Sequence, residues 1–425
     1  MRGFRIVSLV APCFLLLLMA IPGHAAEKIK PYPHYWMSIA TTNQSIPGMS
    51  EQMSGMAALL GGKMGFGPRR ELLLQVESPQ VAADKPQASH VIPPGQNMGA
   101  SLPLVTPQVE KRESVVPSER GKPEKFEKPK VRMLIYWGCG ETVGKGQPKV
   151  IDTAKMSPAD FGKAFAGRSP ARQVPPSAHK GWIYGEWPNS EERTDVPKDS
   201  SLVGSHLVKG NYLPDILFML DKKRDFMEPV EFLPIQATQS GAMKLEWQPI
   251  STAIGYFAAA MGHDQQSGDS IFWSASEVPE IGFALQDYLT PGDVNRFIKE
   301  KVVMDASRTT CTVPPIFKGA QGAMLQFIAY GEELNLIYPP KPKDPRQSWN
   351  PKWSVKVRLK STGMTTLMAS DDSSKKDTSS PKSRQKSRPQ NEDQNGSRTA
   401  DEDSGSGSVK SKDGVKDLLR GVFGF

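Results

Sequence analysis

VRMLIYWGCGETV, residues 131–143, decides how the rest of the chain is read. Its centre, Ile135-Tyr136-Trp137-Gly138-Cys139-Gly140-Glu141, returns as Ile271-Phe272-Trp273-Ser274-Ala275-Ser276-Glu277. Both copies run Ile, aromatic, Trp, three small residues, Glu. A β-branched and aromatic run suits a buried strand, and small residues at its exit let the backbone bulge or approach a neighbour closely.

Four more blocks follow in the same order. Met156-Ser157-Pro158-Ala159-Asp160 matches Leu289-Thr290-Pro291-Gly292-Asp293, each with a hydroxyl N-cap, Pro at the first helical position and Asp in the first turn. Two short helices are expected there, the first running to about Gly167 and the second through Asn295, Phe297, Ile298 and Lys301. Val174-Pro175-Pro176 matches Val313-Pro314-Pro315, an extended pattern because Pro restricts both itself and the residue before it. Tyr184-Gly185-Glu186 matches Tyr330-Gly331-Glu332, and Pro214–Leu220 matches Trp353–Leu359, where apolar and charged residues alternate as in a strand with one wet face.

The expected fold is therefore all-β: two tandem sandwich-like units with a few short helices and a disordered C-terminal tail. The first unit covers 27–234. It holds a strand over 32–42, a Met/Gly-rich stretch over 46–67, a short apolar run over 70–77, a Pro-rich stretch too broken for long elements, and a charged linker over 109–130. The second unit covers 241–361. It opens with Leu245-Glu246-Trp247-Gln248-Pro249-Ile250 and then Ala253-Ile254-Gly255-Tyr256. This dozen residues resembles the early strands of fibronectin type III domains, where a Trp strand precedes an Ala-x-x-Tyr strand. The resemblance implies a β-sandwich, an architecture that does not fix function.

The N-terminus places Arg2 and Arg5 before an apolar run from Ile6 to Ile21 and then small residues up to Ala26. That is the layout of a secretory signal peptide over 1–26, with a core too short for a comfortable membrane span. No other stretch approaches the length of a transmembrane helix, so the mature chain is expected to be exported, into the periplasm of an envelope-bearing bacterium. The formal charge of +8 falls to +6 without Arg2 and Arg5. So mild a bias, together with export, argues against nucleic acid as a partner.

At the other end, residues 369–412 carry no aromatic side chain and one aliphatic residue larger than Ala, Val409, with basic and acidic groups nearly balanced. Such a segment cannot bury enough apolar area to offset chain entropy, and it reads as a disordered spacer. In the apolar peptide over 413–425, Leu418, Leu419, Val422, Phe423 and Phe425 recur near helical spacing. A short apolar peptide on a flexible tether suggests docking to an envelope protein or a membrane surface.

Chemistry-bearing patterns are sparse. The chain lacks Gly-x-Ser-x-Gly, His-Glu-x-x-His, Cys-x-x-Cys and a phosphate-cradling Gly loop, and regular βαβ alternation is missing too. His34, His90, His179, His206 and His263 are scattered singly and read as surface or internally satisfied residues. Glu141 and Glu277 share a repeat position and could act as a carboxylate pair only if the fold brought them together; solvated strand-end glutamates are the plainer reading. Tyr184 with Glu186 and Tyr330 with Glu332 are read the same way.

Met49, Met53 and Met56, spaced four and three apart, would put three soft thioethers on one helix face and suit Cu(I). Cys139 and Cys311 remain after export and do not match across the repeat. If joined, they would close a loop of about 170 residues and clamp the two units together. The reading is a non-catalytic binding or structural protein of the cell envelope with no cofactor; the alternative is a periplasmic copper-handling protein using the three methionines.

Overall fold

A computed structural model describes residues 29–45, 67–107, 131–157, 160, 163, 164, 167–344 and 346–368. The strands are β1 (His34–Gln44), β2 (Gly67–Ser78), β3 (Ala88–Val91), β4 (Ser101–Leu104), β5 (Arg132–Trp137), β6 (Lys149–Asp152), β7 (Ile183–Trp187) and β8 (Gly204–Gly210). They continue with β9 (Leu213–Leu220), β10 (Gln236–Ala237), β11 (Met243–Glu246), β12 (Gly255–Asp264), β13 (Ser270–Ser274), β14 (Thr310–Val313), β15 (Ala320–Tyr338) and β16 (Trp353–Leu367). One α-helix, α1 (Pro291–Lys299), lies among the described residues, together with short 3-10 turns. The β-rich class follows the sequence expectation.

Nine strands form one sheet in the order β6-β5-β13-β12-β15-β16-β1-β2-β7. The sequence halves are not kept apart in it: β16 runs parallel to β1, with Met37 opposite Val357, and β13 runs parallel to β5, with Ile135 opposite Phe272. The two copies of the opening motif are thus neighbours, offset by one residue from their sequence alignment. The fourth pair of blocks also shares this sheet, in β7 and β15, whereas the fifth pair separates, β9 joining a four-stranded sheet and β16 the large one.

Two smaller sheets cover one face, here called inner. The order β4-β3-β8-β9 lies over the β1-β2-β7 end, where Tyr35 meets Phe218, and β10-β11-β14 lies over the other end, where Trp247 packs on Tyr256 and Phe327. A single hydrophobic core runs between the layers, from Tyr35, Leu74 and Trp187 to Trp247, Trp273 and Phe327. In the fibronectin-like stretch, β11 and β12 lie in different sheets, with Trp247 packed on Tyr256 between them.

The repeated glycines have a common physical role. A Cβ on Gly185 would stand 2.9 Å from the Tyr212 hydroxyl and 3.0 Å from the Leu104 carbonyl oxygen, and one on Gly331 would stand 2.7 Å from the Leu359 Cβ and 2.8 Å from the Met227 sulfur. Each position admits only a residue without a side chain, because a neighbouring chain segment passes that close.

The outer face of the large sheet is covered in part by α1 and the loop before it, with Phe257, Leu289, Val294, Phe297, Ile328 and Tyr330 forming a second core. Thr290 caps α1, its hydroxyl accepting from the Asp293 amide at 3.1 Å and donating to the Asp293 carboxylate at 2.9 Å. The matching Ser157 makes the same two contacts with Asp160, at 3.2 and 2.5 Å; several residues of that first helical turn lie outside the described residues. Asp293 also accepts from the Ala171 amide at 2.8 Å, so the cap ties α1 to the neighbouring loop. Thr290→Ala is expected to cost about 1 kcal/mol, read as a lower urea midpoint with an unchanged slope.

Candidate functional site

Beyond α1, the outer face of β16, β1, β2 and β7 carries a row of charged and aromatic side chains, with Gln173, Pro176 and Trp182 packed beside it. Strand alternation sends Lys356, Arg358 and Lys360 to this face, and register places Trp36 opposite Lys356 and Ser38 opposite Arg358. The result is a ladder of cations and rings. The Lys356 ammonium lies 5.1 Å and the Arg358 guanidinium 5.1 Å from the Trp36 ring centre; Arg358 and Lys360 each lie 4.3 Å from that of Tyr288. Such contacts contribute roughly 0.5–2 kcal/mol each, more where water is excluded.

The ladder is held in place by hydrogen bonds and ion pairs. Arg358 Nε donates to Ser38 Oγ at 2.8 Å, Lys360 Nζ to Asp287 Oδ1 at 2.9 Å, and Lys356 pairs with Glu333. Burial works against ionising Asp287, yet Lys360 and Arg358 nearby hold its carboxyl below the usual range. Burial raises the Tyr288 phenol well above its ordinary value, against the opposing charge of Arg358. Further along, Tyr184 donates to Glu186 at 2.5 Å and accepts from Gln75 Nε2 at 3.0 Å; burial and then the Glu186 bond raise its phenol.

Between the ladder and the α1 layer the face opens into a cavity of about 340 Å³ lined by Thr42, Gln44, Glu71, Gln286, Gln326 and Thr362, with Phe257, Ala259, Ile328 and Met364 supplying apolar wall. Thr42 donates to Glu71 at 3.1 Å; among the described residues the side chains of Gln286, Gln326 and Thr362 have no hydrogen-bond partner.

On the inner side, a second polar feature is sealed. Tyr35, His90 and His206 are fully buried between β1, β3 and β8. His206 Nε2 lies 2.7 Å from the Leu202 carbonyl oxygen, His206 Nδ1 lies 2.9 Å from His90 Nε2, and His90 Nδ1 lies 2.8 Å from the Tyr35 hydroxyl. A carbonyl can only accept, so His206 donates from Nε2; with both imidazoles neutral, its Nδ1 accepts from His90 Nε2 and His90 Nδ1 accepts from Tyr35. Burial favours this neutral arrangement over one that carries an imidazolium. Burial, reinforced by the neighbouring His206, pushes His90 well below its ordinary value, and burial also lowers His206. In the sequence these histidines stand 116 residues apart, and the expectation for each was a surface or internally satisfied residue.

The remaining candidates fall out as follows. Cys139 and Cys311 are joined in a disulfide with their Cα atoms 5.1 Å apart. Gly138, at φ +95°, turns the chain out of β5, and the Gly140 amide then bonds the Thr312 carbonyl at 2.7 Å, so the motif's small-residue exit crosses from the large sheet to β14. Glu141 and Glu277 stay exposed at the sheet's end, Glu141 3.5 Å from Ser240 Oγ and Glu277 3.4 Å from Lys301, and neither bonds the other. The repeat's second tyrosine-glutamate pair is split by a bulge between Tyr330 and Glu333: Tyr330 donates to the Leu285 carbonyl while Glu332 pairs with Arg224.

Met49, Met53 and Met56, and Leu418, Leu419, Val422, Phe423 and Phe425, lie outside the described residues, as do the signal-like segment, the linker over 109–130 and the spacer. Among the described residues no helix is long and apolar enough to cross a membrane, and no group of three or more His, Cys, Asp or Glu could hold a metal ion. Searched against protein-family models and curated proteins, the chain matches none.

Proposed function

We propose that the protein is an exported component of the cell envelope that binds without catalysing, and that the outer face of β16, β1, β2 and β7 is its contact surface. The observation that carries this reading is the ladder of Lys356, Trp36, Arg358, Tyr288 and Lys360, a pre-organised row of rings and charges in which Trp36, Lys356, Tyr288 and Lys360 stay partly exposed around a buried Arg358. A side chain already fixed by its neighbours loses little freedom when a ligand arrives, which favours binding. Export is supported by the charged and apolar layout of residues 1–26 and by the Cys139–Cys311 disulfide, a bond that persists in oxidising compartments. The tethered C-terminal peptide, with Leu418, Leu419, Val422, Phe423 and Phe425, serves as a second contact to an envelope protein or membrane surface, raising avidity through effective concentration.

Co-sedimentation of the full chain with isolated envelopes tests this. Trp36→Ala is expected to weaken retention at least tenfold while melting remains cooperative, and deletion of residues 414–425 to weaken it independently. Retention unchanged by Trp36→Ala would remove the ladder from the reading; retention unchanged by the deletion would remove the tail.

A further inference from the structure

We infer that the cavity beside the ladder is a subsite for an uncharged saccharide unit, an inference that rests on the binding function proposed above and names its ligand class. The cavity, about 340 Å³, falls at the small end of the roughly 300–1,000 Å³ range of small-molecule sites. Its polar lining is chiefly amide and hydroxyl: Gln44, Gln286, Gln326, Thr42 and Thr362, with Glu71 already accepting from Thr42. An amide offers donors and an acceptor a short distance apart, and a hydroxyl offers both on one atom, which matches the paired donor and acceptor character of adjacent sugar hydroxyls. Ile328, Met364 and Ala259 provide an apolar patch for the C–H face of a ring.

Other ligand classes fit less well. An anion would need a cation in the lining, which holds the Glu71 carboxylate and no Lys, Arg or His. An extended peptide recognised through its backbone needs a free sheet edge. Of the strands that line the cavity, β12, β15, β16 and β1 are each paired on both sides, and beside Glu71 the outer edge of β2 is met by Val196 at Arg70. A metal ion lacks a ligand set, since Glu71 is the one carboxylate in the lining.

Saturation-transfer NMR on the full chain with maltose, N,N′-diacetylchitobiose and glucuronate as separate probes tests the assignment. One of the two neutral sugars is expected to show saturable transfer, with glucuronate at least tenfold weaker. Gln326→Ala/Thr362→Val should reduce the neutral-sugar signal at least tenfold, and Gln286→Ala, on the loop that forms the opposite wall, should do so even if the strand variant fails to fold. Absence of transfer from both neutral sugars, preference for glucuronate, or signal unchanged in Gln286→Ala would overturn it. Envelope retention with no sugar binding would reject the saccharide subsite and leave the binding function standing; sugar binding without envelope retention would do the reverse.

Discussion

Reduction of the Cys139–Cys311 bond, or its removal in Cys139→Ala/Cys311→Ala, is expected to lower unfolding free energy by about 5 kcal/mol, the chain-entropy value for so long a loop. The two cysteines stand 172 residues apart in sequence, so the bond removes a large part of the freedom of the unfolded chain. It also holds particular layers together, since Cys139 follows β5 of the nine-stranded sheet and Cys311 lies in β14, buried beside Leu245. Urea titration with and without reductant measures the effect. A midpoint that does not move, under conditions where both thiols become labelled, would show that the layers are held by the core alone. With a typical domain stable by only about 5–15 kcal/mol, the reduced protein should be close to unfolding at physiological temperature.

His90→Leu is expected to cost about 4 kcal/mol. The substitution keeps an apolar group in the space but strands the Tyr35 hydroxyl and His206 Nδ1, and each buried polar atom left without a partner costs about 1–3 kcal/mol. Tyr35→Phe, which strands His90 Nδ1 alone, should cost about half as much. The same chain predicts a pH dependence. Both histidines have folded values below the ordinary 6.5, so the unfolded state takes up protons first as pH falls. The stability they contribute is present above pH 6.5 and is lost progressively below it, toward their depressed folded values. Asp225 lies near His206 and favours its charged form, but burial outweighs it. His90→Leu/His206→Leu should therefore show a flatter stability profile between pH 7 and 5 than the native protein. Parallel profiles, compared by urea midpoint across that range, would contradict the neutral assignment.

Much of the architecture was legible in local pattern. Alternation in Trp353–Leu359 marked a strand with two unlike faces, and β16 does bury Val355, Val357 and Leu359 on one of them, but Arg358 on the other is buried as well and, of these two charged residues, only Lys356 stays partly exposed. The hydroxyl-Pro-x-Asp signature located the cap of α1 at Thr290. Both are short-range effects, set by side-chain periodicity and by backbone amides without partners at a helix start. The ladder was not legible, because Trp36 and Arg358 are 322 positions apart and meet only through the parallel pairing of β1 with β16. The His90–His206 contact was hidden for the same reason.

The repeated motif shows the division most clearly. The sequence by itself determined that residues 131–143 and their echo around Trp273 are apolar strands with small-residue exits, and it marked the first exit, through Gly138 and Gly140, as a place where the backbone can turn or be approached. Only the tertiary structure decided that the two copies lie side by side in one sheet and that Cys139 reaches Cys311 in the facing layer. Hydrogen-bond capacity and hydrophobicity specify that a strand will form and which face it buries. Its partner depends on which of many compatible edges gives the largest shared core, a comparison made over the whole chain.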